Sequence, residues 1–246
     1  LEKSKQEEEL SAFNGVTSIS AIVPIGPGDQ LSNDFVELLK GPSWLYEVLF
    51  VATRPANLLE QEFVSELSKS IKTQWLISRP GRAEQQNCGA SVASGVFLWF
   101  LHIDSRAGWK PHQLDGFIAR LSHGSAYFFD LGFYGKSVRR MRVNAFGVWL
   151  RSHIFKMPFG DQALLIPRAA FEKLGGFDQK LVYGEDHVLI WRLRQHGFAV
   201  RPIGARIMTS SRKYDQRGWG KTTWLHLRLT YLQAWPEFWK WMWGKT

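Results

Sequence analysis

The sequence predicts a single α/β domain built on a mostly parallel sheet with helices on its faces. Apolar, β-branched runs alternate with segments of helical spacing through the first hundred residues, the rhythm of right-handed strand–helix–strand crossovers. A length of 246 residues suits one well-buried core and is short for two. No internal repeat or low-complexity linker breaks the pattern.

Each element follows from its own stretch. "TSISAIVPIG" is a β-branched run closed by Pro-Gly chemistry, a first strand, and "QLSNDFVELLKG" is a helix closed by Gly41. "YEVLFVAT" gives a second strand, and "LEQEFVSELSKSIK" a helix with Leu59, Phe63, Leu67 and Ile71 at helical spacing. "TQWLIS" is a third strand, "GRAEQQNCGASVASG" an Ala-rich helix ending at Gly95, and "VFLWFLHID" the fourth strand. Downstream the rhythm changes. "SAYFFDLGFYG" reads as a strand, "RRMRVNAFGVWLRSHIFK" as a basic helix, "QALLIPR" as a strand and "RAAFEKLGGF" as a short helix. "GEDHVLIWRLRQHG" is an amphipathic helix with two carboxylates at its start, followed by "FAVRPIG" and "ARIMTSS" as separate short strands.

Charge and composition narrow the partners. Lys and Arg number 31 against 22 for Asp and Glu, a net charge of +9 that favours phosphorylated ligands, nucleic acid or an acidic membrane surface. The basic residues are spread along the chain without an interleaved basic and aromatic module, so nucleic acid ranks low. The lone Cys88 excludes a disulfide framework and a multi-cysteine zinc site, and points to a cytosolic or cytosol-facing compartment. No GxGxxG follows the first strand and no GxxxxGK[ST] occurs, which disfavours the usual dinucleotide and P-loop sites. "LEKSKQEEEL" has no apolar signal region, and no window reaches the apolar length of a spanning helix. The expected division is a charged tail over residues 1–17, a domain over 18–234 and a Trp-rich segment over 235–246. Trp235, Trp239, Trp241 and Trp243 alternate there with Lys240 and Lys245. Such a segment suits a membrane headgroup boundary, and equally a cover for the domain's own core or a partner subunit.

The stretch "FLWFLHIDSRAGW" sets His102 and Asp104 at the end of an apolar run. Alternation along a strand would turn both to one face. Two readings stand side by side: the strand's exit into a solvated loop, or a ligand crevice at the carboxyl end of a central strand.

Taken in order, "IVPIG", "LHIDS", "GGFDQ" and "GEDHVLIWRLRQHG" resemble the family 2 glycosyltransferases of the GT-A fold. "GRAEQQNCGA", "PFGDQALLIPRAAFEKLGGFD" and "TSSRKYDQRGW" resemble more closely a bacterial subgroup of small, single-domain members, and the likeness runs from Ser18 to Thr223. The resemblance implies a Rossmann-like, mixed and mostly parallel sheet. It also implies an inverting, metal-dependent transfer of a sugar from a nucleotide diphosphate to a hydroxyl, on a lipid or a small glycoside.

The same resemblance assigns roles. A departing diphosphate carries negative charge, which Mn²⁺ or Mg²⁺ offsets as a Lewis acid. The family's DXD motif corresponds to His102-Ile103-Asp104. Asp104 is then the metal and diphosphate ligand, His102 either a second ligand or a donor to phosphate, and Ser105 a donor-side neighbour. Asp186, with Glu185 beside it, becomes the base that deprotonates the acceptor; the same pair is well placed to cap a helix. Arg82, Gln86, Asn87 and Arg212 fall on the diphosphate side, with Ser210 and Ser211 adding hydroxyls, and each arginine is also an ordinary exposed charge of a basic protein. Asp161 and Gln162 fall on the acceptor side, where an Asp after Gly is equally an Asx-turn residue. Gly175 and Gly176 shape the edge of the acceptor pocket. Trp99, Trp109, Phe128 and Phe129 offer faces for sugar stacking or fill the core.

The sequence departs from the family at two places. Pro24 is followed by "IGPGD" where members carry Asn-Glu, with Asp29 as the nearest substitute. Ala52 or Thr53 stands where an aspartate contacts the nucleoside. The second departure motivates an alternative from another class, a GT-A-shaped binding or scaffold protein without turnover.

Overall fold

The strands β1 (Ile19–Ile25), β2 (Leu45–Ala52) and β4 (Phe97–Phe100) are apolar on both faces and almost wholly buried. A strand of this kind needs a neighbour on each side and cover above and below. The computed structural model, which describes residues 17–211 apart from Pro111, Lys136, Ser137 and Val182, supplies both. With β3 (Lys72–Ile77), these strands form a parallel array in the order β3-β2-β1-β4. Beside β4 come β7 (Leu165–Pro167), β6 (Ser125–Tyr134), β8 (Ala199–Ser210) and the two-residue β5 (Arg106–Ala107). β7 runs antiparallel to both of its neighbours, β6 and β8 are parallel, and β5 is antiparallel to β8. The sheet is therefore mixed, with the strand order reversing between β1 and β4.

Alternation along β1 divides the core in two. Ile19, Ala21, Val23 and Ile25 face a layer with Phe35 and Leu39 of α1 (Asn33–Lys40) and Leu67 of α2 (Leu58–Ser68). Ile22 turns to the other layer, with Leu189 and Ile190 of α7 (Glu185–Gln195) and Phe171 of α6 (Arg168–Lys173). There α3 (Arg82–Val92) lies so close that a Cβ on Gly89 would stand 2.6 Å from Ile22. The short α4 (Asp115–Ile118) and the long α5 (Val138–His153) complete the helices. Ser32 caps α1 by accepting the Phe35 N–H, and Asn57 and Glu60 form a reciprocal capping box on α2.

Two expectations are corrected, and of two readings of the aromatic rings one holds. β4 stops at Phe100, so His102 and Asp104 lie in the turn beyond it and strand alternation does not orient them. The two short strands at the end are one, β8, because Pro202 and Gly204 fall at a register shift opposite Phe128 and Asp130, where a bulge absorbs them. Trp99, Phe128 and Phe129 are fully buried, and Trp109 packs on Trp99 and Phe129, so these rings build core rather than a sugar platform. The two terminal segments fall outside the described residues. Among the described residues, no helix is long and apolar enough to cross a membrane.

One buried charge joins the first strands. Glu47 on β2 is fully buried and accepts from Ser20 Oγ (2.7 Å), the Ser94 N–H (2.6 Å) and Lys72 Nζ (2.7 Å). Burial alone would push its carboxyl up, but these hydrogen bonds and the Lys72 charge outweigh burial and hold it below its ordinary value of 4.5. A depressed folded-state value contributes stability above the unfolded value and loses it as pH falls through the folded one. In a Glu47→Gln variant the fall in urea midpoint below about pH 4.5 is expected to be shallower than in the parent.

Candidate active site

The site starts where β4 ends. The Leu101 N–H still reaches Ile22 O of β1, but the chain then turns, with the Ser105 N–H donating to His102 O at 3.0 Å. This places His102 and Asp104 at the carboxyl edge of the sheet, beside the point where strand order reverses. In α/β sheets that edge is where the ligand crevice forms.

The ends of two strands brace the turn. Thr209 Oγ1 of β8 donates to Asp104 Oδ2 at 3.0 Å, and the Tyr134 hydroxyl of β6 donates to the Asp104 carbonyl at 3.1 Å. The Arg106 guanidinium lies over the Tyr134 ring at 3.7 Å and pairs with Asp34 of α1 at 2.8 Å. Asp104 Oδ1 has no partner among the described residues. Ser105 is buried beneath the turn.

Arg82 opens α3 and approaches His102, with Nη2 3.4 Å from Nδ1. The residue before it, Gly81, has φ 128 and no side chain to cap the helix, so no side chain takes up the first N–H groups of α3. Gln86, one turn on, is buried and its Oε1 has no partner among the described residues. Asn87 is committed elsewhere: it donates to Phe177 O (2.8 Å) and accepts the Phe177 N–H (2.9 Å). That pair fastens the glycine loop to α3. Gly175 and Gly176 have φ of 76 and 70, and a Cβ on Gly176 would stand 2.7 Å from Asn87 Oδ1.

Asp186 enters from the opposite side, in the first turn of α7. Its Oδ1 accepts the His187 N–H at 2.8 Å, and its Oδ2 makes a very short bond with the Gly160 N–H. The first bond satisfies one donor of the helix's first turn, and the second ties the carboxylate to the turn that carries Asp161. Gly160 allows this contact, since a Cβ there would lie 3.0 Å from Asp186 Oδ2 and 3.5 Å from His102 Nε2. The same numbers show that Asp186 and His102 converge on one point. Glu185, beside it, is buried, and burial together with the Asp186 charge holds its carboxyl above the usual range.

Asp161 follows Gly160, and its Oδ1 is buried with no partner among the described residues. Burial raises its carboxyl, and the charges of Asp186 and Asp104 add to the shift against the opposing pull of Arg151 and Arg82. Gln162 is fully buried: it accepts from Arg151 Nη2 (3.1 Å) and the Phe159 N–H (3.3 Å), and donates to Phe129 O (3.1 Å) and Ser152 Oγ (3.0 Å). Its amide is spent on the fold, and Arg151, its donor, lies over the Phe159 ring at 3.4 Å.

The structure thus brings Arg82, His102, Asp104, Asp161, Glu185 and Asp186 into mutual electrostatic reach. Arg212 lies outside the described residues, while the Ser211 N–H donates to Tyr134 O at 2.8 Å at the end of β8. Asp29 accepts the Gly26 N–H at 2.9 Å and so closes its own loop. At the end of β2, Ala52 is fully buried and Thr53 exposed. Just beyond, Arg54 is locked on Glu60 by bonds of 2.6 and 2.8 Å. Gly160, Thr209, Tyr134 and Arg151 were not singled out from sequence; a Gly directly before a candidate Asp is the one local signal among them.

Among the described residues, no three His, Cys, Asp or Glu side chains stand close enough to hold a metal by themselves. Asp104 with one unpartnered carboxylate oxygen, His102, and acids whose carboxyls are raised by burial and by one another's charge nevertheless form a donor set that fits a hard divalent cation, provided phosphate oxygens and water complete its shell.

The mixed sheet, with its polar turn at the strand-order reversal, has the GT-A fold. Particular solved structures show the likeness. TarS of S. aureus superposes with a TM-score of 0.58 at 14% identity, covering 78% of this chain and 36% of that one. Its fragment 1–349 in complex with UDP gives 0.59 at 13% identity, covering 78% and 60%. GalNAc-T7 with UDP, GalNAc and Mn²⁺ gives 0.56 at 12% identity, covering 80% and 44%. The chain thus spans between 36% and 60% of the length of these neighbours. No protein-family model and no curated protein sequence matches it.

Proposed function

We propose that this protein is an inverting, metal-dependent glycosyltransferase of family 2 that moves a sugar from a nucleotide diphosphate to a hydroxyl acceptor. The observation that carries the reading is the convergence of Arg82, His102, Asp104, Asp161, Glu185 and Asp186 at the strand-order reversal of a GT-A sheet. TarS has been crystallised with UDP and with UDP-GlcNAc, and GalNAc-T7 with UDP and Mn²⁺, so UDP-sugars are the first donors to test.

Each group has a task in this reaction. Arg82 and the free N–H groups of α3 hold the diphosphate, and Ser105 supports the turn beneath it. Asp104 and His102 would hold Mn²⁺ or Mg²⁺, which supplies Lewis-acid stabilisation of the leaving diphosphate. Thr209 and Tyr134 fix the Asp104 geometry. Asp186, oriented by the Gly160 and His187 N–H groups, takes the proton of the acceptor hydroxyl as its oxygen attacks the anomeric carbon from the face opposite the departing diphosphate. Asp161 and the Gly175-Gly176 loop border the acceptor, a lipid or a glycoside, and Arg212 is the further cation assigned to the diphosphate. The protein acts in the cytoplasm or at the cytoplasmic face of a membrane.

The buried Ala52 and the locked Arg54 favour a second reading, a fold of this class that binds or scaffolds without turnover. A thermal-shift screen separates the two. A ligand at a hundredfold its Kd stabilises the native state by about 2.7 kcal/mol. The enzyme reading expects UDP or a UDP-sugar to raise the melting temperature only with Mn²⁺ or Mg²⁺ present, and Asp104→Ala to remove that rise. No nucleotide shift with either metal would overturn it.

A further inference from the structure

We infer that a cationic cleft at the amino end of β8 binds a soluble phosphate ester, at a site separate from the crevice around Asp104. The inference is independent of sugar transfer.

β8 joins two ends of the molecule. Its carboxyl end carries Thr209, which holds Asp104, and its amino end carries Arg201. At about 3.3 Å per residue the strand sets these two positions about 26 Å apart. At the amino end is a cleft of about 460 Å³, lined by Lys156, Arg194 and Arg201 and by residues 197–200. Its three cations come from three elements: the loop after α5, the last turn of α7, and β8 itself. No acidic residue stands in the wall, and none of the three has a carboxylate partner among the described residues.

Arg194 anchors the cleft. Half-buried, it uses Nη1 on Phe155 O (3.0 Å) and Met157 Sδ (3.2 Å), which leaves Nε and Nη2 without a partner among the described residues. Burial draws its pKa below the ordinary arginine value, since no carboxylate offsets the lost hydration. A basic residue in the last turn of a helix ordinarily answers the helix dipole, which amounts to about half a negative charge. One cation covers that. Three leave the cleft roughly 2.5 charges positive, and a phosphate ester near neutral pH brings about 1.5 to 2 negative charges to meet them. The N–H groups of Gly197, Phe198 and Ala199 are committed to Arg194 O, Leu193 O and Gly124 O, so side chains alone recognise the anion. The cleft has the volume of a small-ligand site, and the partly buried Phe198 in its wall offers an apolar surface to the ester's organic body.

The test is equilibrium dialysis of the full chain against phenyl phosphate, with EDTA present so that no metal-held ligand contributes. Saturable binding is expected, weakening as salt rises. A Lys156→Asn, Arg201→Gln variant is expected to bind at least about tenfold more weakly, the loss from two charge-assisted contacts. Asparagine suits the backbone of Lys156, whose φ is 56. Arg201→Gln alone changes one exposed side chain and is expected to weaken binding in the same direction. Arg82→Ala, beside His102, is expected to bind as the parent does. Absence of saturable binding at millimolar ligand, or binding that Arg82→Ala removes and the cleft variants leave intact, overturns the inference. So does sedimentation with phosphatidylglycerol vesicles that depends on Lys156 and Arg201 while phenyl phosphate does not bind, which would assign the cations to lipid headgroups.

Discussion

Asp186→Asn is expected to lower the rate of sugar transfer by about 10²- to 10⁴-fold, the range in which a general base contributes, while leaving metal-dependent donor stabilisation in place. The amide keeps the side chain's size and one acceptor oxygen for the Gly160 N–H, gives up the bond from the His187 N–H, and takes no proton from the attacking hydroxyl. The expectation separates this residue from its neighbour. Glu185 is buried with a raised carboxyl and no bond that aims it at the Gly160 turn, so Glu185→Gln is expected to change transfer far less. Initial rates of both variants with a saturating donor decide the point. A transfer rate for Asp186→Asn equal to that of the parent would remove Asp186 from the role of base.

Trp99→Ala is expected to destabilise the fold by about 3–5 kcal/mol, the range for deleting a buried aromatic side chain. Trp99 is fully buried at the centre of a ring cluster, with centroids 5.4 Å from Trp44, 5.7 Å from Phe129 and 6.4 Å from Trp109. Its Nε1 has no acceptor among the described residues, so alanine forfeits packing and no hydrogen bond. Trp99→Phe retains a ring and removes that unpartnered donor, and it is expected to cost less than about half as much. Urea denaturation of the two variants tests the account. A loss below about 1 kcal/mol for Trp99→Ala would mean that the cluster closes around the gap.

The parallel half of the sheet was legible because β1, β2 and β4 carry largely apolar runs separated by helical patterns of ordinary length. The antiparallel half was not. β7 has three residues, and nothing in its periodicity says which way it runs. Gly204, at φ 78, looks like a break in sequence, yet a β-bulge absorbs it. At the site, the residue types near the end of β4 and the start of α7 were visible as polar ends on apolar elements. Their bracing was hidden, because Thr209 lies 105 residues from Asp104 and no local pattern links them. Asn87 shows the converse. It sits in a stretch that points to phosphate binding, while its amide closes a contact 90 residues away with Phe177.

The amide of Gln162 gives the molecule a fixed ruler. It bonds Arg151 and Ser152 of α5 on one side and the Phe129 carbonyl on the other, while its own backbone belongs to the turn that carries Gly160 and Asp161. Helix and turn therefore travel as one piece. The place of the Asp161 carboxyl is therefore set by a helix that begins more than twenty residues before it, as much as by the turn that carries it.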